Sequence, residues 1–148
     1  MKKQNRNKEI IIKYKDFRCQ NMKEFTFSYP TIKGWGEAKV EQNVPNLCTI
    51  SYENSDEYFP KIIVEKSSIG INDASWRYFR PLIPLRGLPP QKNPKGVKFG
   101  YFETPFRGNW CQFFGKKFSV KVKIQEMEDD PEFEMVFFRK VMETFKFI

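Results

Sequence analysis

A chain of 148 residues is sized for one domain, and with 40% hydrophobic and 17% aromatic residues it is too apolar to stay disordered despite 30% charged residues. The absence of histidine removes Ser-His and Cys-His nucleophiles, and three scattered cysteines without a CxxC pair supply no zinc ligand set, so no metal and no cofactor is expected. The net charge of +8 directs attention to anionic partners.

Residues 1–22 read as a basic N-terminal tail, or as an edge strand through Glu9 to Tyr14; residues 1–23 carry eight Lys or Arg against two acids. Only Ile10, Ile11 and Ile12 are consecutively apolar there, far short of a signal peptide or a membrane span. As written the chain therefore reads as cytoplasmic, or as secreted or lipid-anchored if a leader is missing. Residues 23–148 read as a single α+β domain. Phe25, Phe27 and Tyr29 alternate with Thr26 and Ser28 in a short strand that Pro30 should stop. Ala38–Gln42 and Cys48–Tyr52 follow as strands, separated by Val44-Pro45-Asn46; Glu53–Glu57 is a polar turn, and Tyr58–Ser67 is a β-branched strand. Asp73 offers a cap for a short helix ended by Pro81. Pro81, Pro84, Pro89, Pro90 and Pro94 then make 81–96 a Pro-rich loop. Val97–Phe106 and Trp110–Phe114 are strands joined by a turn at Arg107-Gly108-Asn109.

The C-terminal third is the most legible. Gly115-Lys116-Lys117 turns a hairpin into a strand whose Phe118, Val120, Val122 and Ile124 alternate with Ser119, Lys121, Lys123 and Gln125. The acids between Glu126 and Glu134, with Pro131, mark a helix start. Phe133, Phe137, Val141 and Phe145 recur every four residues opposite Arg139, Lys140 and Glu143, which predicts a helix lying on a sheet. Lys146-Phe147-Ile148 should add a few residues to that sheet. The expected fold is α+β, an antiparallel sheet with a C-terminal amphipathic helix packed on it. Cys19, Cys48 and Cys111 allow one disulfide plus a free thiol. Burial as three small apolar residues is the reading favoured by the general behaviour of free Cys.

Phe25-Thr-Phe-Ser-Tyr-Pro30 followed by Gly34-Trp35, and the close in a Lys-rich strand, a helix with Phe138, Val141 and Met142, and Thr144-Phe145-Lys146-Phe147, resemble the corresponding parts of PsbP-like domains. The resemblance runs over residues 23–148. It implies an α/β/α sandwich and a non-catalytic protein-binding or assembly role, as in a family that includes photosystem II extrinsic proteins, Ran-binding-protein-like members and bacterial proteins. Histidine metal sites of plant members have no counterpart in this chain, so a photosynthetic role is not implied.

Between Arg77 and Lys123 eleven Lys or Arg face one acid, Glu103, with Trp76, Tyr78, Phe79, Phe99, Tyr101, Phe102 and Trp110 interleaved. Such a stretch suits phosphate tracking and base stacking, or it is the solvated face of strands whose aromatics fill the core. The candidate binding surface comprises Arg77, Arg80, Arg86, Lys92, Lys95, Lys116, Lys117, Lys121 and Lys123. Pro81-Leu-Ile-Pro84-Leu-Arg86 matches a loose PxxPxR pattern, and the acids at 126–134 are sufficiently explained by the helix start. Catalytic residues are not expected. A protein partner leads, single-stranded nucleic acid is the alternative, and a carboxylate- or Lys-based enzyme comes third.

Overall fold

A computed structural model describes residues 11–32, 36–52, 61–67, 88–104, 108–125 and 131–148. In chain order the described elements are β1 (Ile11–Asp16), β2 (Phe25–Thr26), β3 (Ser28–Ile32), β4 (Ala38–Val44), β5 (Leu47–Tyr52), β6 (Lys61–Ser67), β7 (Leu88–Lys92), β8 (Lys98–Thr104), β9 (Gly108–Phe114), β10 (Ser119–Gln125), α1 (Pro131–Thr144) and β11 (Lys146–Phe147). Seven strands form one antiparallel sheet in the order β4-β5-β6-β10-β9-β8-β7.

Strand β10 lies at its centre. Val122 is opposite Val64 on one side and Cys111 on the other, while Val120 meets Phe113 and Ile124 meets Ile62. The period of two sends all of these to one face, where they are buried with Cys48, Ile50, Tyr52 and Phe99. Lys121 and Lys123 take the other face. Onto the apolar face α1 lays Phe137 and Val141, followed directly by Phe145, all fully buried, while Arg139 and Glu143 point to solvent. The expected stripe is therefore present from Phe137 onward; the side chain of Phe133 lies outside the described residues. The α+β class with a C-terminal helix packed on an antiparallel sheet follows directly.

The helix is also held by the two-stranded pairing of β1 and β3. Strand β3 packs against α1 and pairs with β1, and Ser28 N–H donates to Thr144 Oγ1 at 2.8 Å while the Tyr52 hydroxyl donates to the Pro30 carbonyl at 2.9 Å. Here several expectations need correction. Pro30 does not stop a strand: it sits inside β3 opposite Tyr14, in a two-stranded pairing in which a missing N–H is tolerated. Phe27 instead divides the run, because its carbonyl accepts from the Phe17 N–H at 2.7 Å as the chain crosses from β2 to β3. Strand β1 pairs with β3 rather than joining the large sheet, and β11 pairs with β2. Residues 17–22, assigned from sequence to the tail, contribute Phe17, Cys19 and Met22 to the core.

Within the Pro-rich stretch, Leu88–Lys92 forms edge strand β7 despite Pro89 and Pro90; an irregular register between Leu88 and Gln91 and an edge position accommodate them. Gly108 and Asn109 already belong to β9 rather than to a turn. All three cysteines are buried, as read from the sequence, and the alternative of one pairing holds as well. Cys19 and Cys48 are paired as a disulfide, and Cys111 is a free thiol whose complete burial raises its pKa well above the ordinary range. The polar turn at 53–57, the helix proposed after Asp73 and the PxxPxR segment lie outside the described residues.

One aromatic assembly ties the pieces together. Phe145 stacks on Phe113 with ring centroids 3.9 Å apart and reaches Phe25 at 5.4 Å, and Phe17 stacks on Phe27 at 4.9 Å. Burying each such ring contributes about 1.5–3 kcal/mol.

A cationic cleft at one end of the sheet

The register defines two ends. Lys92, Lys98, Phe114, Ser119 and Ser67 form one row across five strands. Beyond this row lie two turns. The β7–β8 turn is built by Asn93, whose Oδ1 accepts from the backbone N–H groups of Lys95 and Val97, both at 2.9 Å, and whose carbonyl accepts from Gly96. Gly96 has φ of 80°, a left-handed conformation suited to glycine. Asn93 Nδ2 then donates to the Phe145 carbonyl at 2.7 Å, so the turn bearing Lys95 is fixed to the residue before Lys146. The β9–β10 turn closes by Gly115 N–H to the Phe118 carbonyl at 2.9 Å, and a Cβ at Gly115 would come within 2.9 Å of the Phe147 ring.

Beside these turns lies a cleft of about 770 Å³ whose lining includes Arg18, Lys23, Lys95 and Lys146. All four side chains are exposed, and none has an ion-pair partner among the described residues. Among the described residues the one acidic side chain lining the cleft, Asp16, accepts a hydrogen bond from the Ser28 hydroxyl at 2.8 Å. Some cations elsewhere are engaged: Lys15 pairs with Glu37, Lys140 lies 4.3 Å from the Tyr14 ring centroid, and Lys66 pairs with Glu24 and covers Phe118 at 4.7 Å. The Lys66 contact holds the Glu24 carboxyl below its ordinary range. Phe17, Phe25 and Phe27 form the floor, and each ring is almost wholly covered. Thr26 and Thr144 hydroxyls donate inward, to the Phe17 and Lys140 carbonyls at 2.9 and 2.6 Å. The cleft therefore presents cationic heads over a closed aromatic base.

The basic stretch read from sequence is split by the fold. Lys92, Lys95, Lys116 and Lys117 are exposed at this end of the sheet, and of these Lys95 enters the cleft. Lys121 and Lys123 lie on the outer face of β10; Lys121 Nζ sits 4.5 Å from the Trp110 ring centroid. Arg77, Arg80 and Arg86 lie outside the described residues. Phe99 and Phe113 pack against each other with tilted rings in the core, and Tyr101 meets Phe138 edge-on at 5.3 Å, so these interleaved aromatics serve packing. Sequence reasoning missed Arg18, Lys23 and Lys146, whose three chain segments meet only in the folded molecule. Asn93-Pro94 between two strands was a usable turn signal.

Among the described residues no group of three or more Cys, Asp or Glu side chains is placed to hold a metal ion, and none of their helices is long and apolar enough to cross a membrane. Glu134, from the acidic helix start, accepts from Asn109 Nδ2 at 3.5 Å. Comparison of the chain with protein-family models, with curated proteins and with solved structures finds no match.

Proposed function

We propose that this chain is a non-catalytic protein-binding or assembly module that engages an anionic partner through the basic end of its sheet. The observation that carries the reading is the placement of Lys92 at the end of β7 and of Lys95, Lys116 and Lys117 on the turns at the same end of the sheet, with a cleft that adds Arg18, Lys23 and Lys146. The role agrees with the one implied by the PsbP-like resemblance, and the α/β/α sandwich of that family belongs to the same proposal.

Single-stranded nucleic acid is the second reading, and Lys121, Lys123 and Trp110 on the outer sheet face are what support it. Retention experiments on immobilised protein, with and without nuclease treatment of a cell extract, separate the two. The protein reading expects salt-sensitive retention of specific proteins that survives nuclease and is lost when Lys92, Lys95, Lys116 and Lys117 are all changed to Glu. Retention abolished by nuclease, or unaffected by those four changes, would overturn it.

A further inference from the structure

We infer that the cleft lined by Arg18, Lys23, Lys95 and Lys146 receives an extended acidic peptide segment of the partner protein, with carboxylates spaced along the strand. The inference rests on the protein-binding reading above and assigns it a site and a ligand chemistry.

Charge complementarity is the first argument. Four exposed cations without ion-pair partners among the described residues line the cleft against one acidic side chain, Asp16, whose Oδ1 is already engaged by Ser28. Such a surround favours an incoming ligand with several negative charges. Size is the second, because about 770 Å³ accepts a few residues of extended chain, whereas a folded protein surface would not enter. The third argument separates peptide from nucleic acid. Single-stranded nucleic acid draws much of its affinity from bases stacking on open aromatic faces. Phe17, Phe25 and Phe27 are each 1% exposed, so the floor offers no such face. Carboxylates need only the cationic heads. The site is also held in place, since Asn93 ties the Lys95 turn to Phe145, and Ile148 N–H donates to the Glu24 carbonyl at 2.8 Å, which fixes the strand carrying Lys146 beside Lys23.

The test uses a fluorescein-labelled peptide of sequence Asp-Glu-Leu-Asp-Glu-Asp, with its amide-for-acid counterpart and a single-stranded oligothymidylate as comparison probes, at low and at physiological salt. Binding of the acidic peptide is expected, with loss of affinity of at least about tenfold in Arg18→Glu/Lys146→Glu, since two ion pairs of roughly 0.7 kcal/mol each are lost and repulsion is added. Lys39→Glu on the outer face should leave binding unchanged. Backbone amide shifts in the unmodified protein locate the site without relying on variants: they should concentrate in residues 16–28, 93–97 and 144–148. Equal binding of the amide peptide, or shifts centred on Lys39, Lys61 and Lys123, would overturn the inference while leaving the retention experiment to stand by itself. Tighter binding of the oligothymidylate at the same residues would overturn it in favour of nucleic acid.

Discussion

Asn93 shows how one buried polar side chain shapes the cationic end. It supplies two acceptor contacts to its own turn and one donor contact to the end of the helix, and is itself 7% exposed. Asn93→Ala would strand the Phe145 carbonyl and two N–H groups, each costing about 1–3 kcal/mol where water cannot substitute. We expect a loss of about 2–4 kcal/mol in urea unfolding, with weakened cleft binding even under conditions where the variant remains folded. A second residue-scale expectation concerns alkali. Burial pushes the Tyr29 hydroxyl up to about 12 and raises Tyr52 further. The native state thus holds these protons more tightly than the unfolded chain, whose tyrosines titrate near 10. Their contribution is complete below pH about 10 and is lost as pH rises through the native values. Ultraviolet titration should show tyrosinate forming late at these two positions, and stability should decline over that window. Phenylalanine at either position should remove its part of the decline.

At the level of elements, the strand–turn–helix run from Gly115 to Thr144 was legible because its information is local. Period-two alternation, a glycine turn, an acidic start with proline and a four-residue apolar repeat each occupy adjacent residues. Phe137→Ala should accordingly cost about 3–5 kcal/mol, against less than about 0.5 kcal/mol for Met135→Ala, which is 62% exposed on the same helix. Comparable costs at both positions in denaturant melts would contradict the assigned helix face. Strand β7 was less legible, since whether proline is tolerated depends on edge position, and that is a property of the sheet. Partner choice for β1 and β11 was hidden for the same reason: β11 supplies two residues, and what it pairs with is settled by where α1 ends, beside Phe25 and Thr26. The cleft was hidden most, because Arg18, Lys23, Lys95 and Lys146 are spread over nearly the whole chain.

Across the whole molecule the sheet register gathers Lys92, Lys98 and the turn lysines at one end. Strand β10 begins beside the turn bearing Lys116 and Lys117 and ends at Gln125, opposite Lys61. Glu103, opposite Asn109, lies toward the same end. The cations gathered at the cleft end attract an anionic partner approaching from solution before any atoms touch. Rotational diffusion is thereby biased to bring the cleft forward, so more encounters begin in a productive orientation. The bias decays over a Debye length of about 8 Å at physiological ionic strength. Salt should therefore act chiefly on the association rate, with dissociation changing far less, a division that stopped-flow measurements on the labelled acidic peptide would resolve.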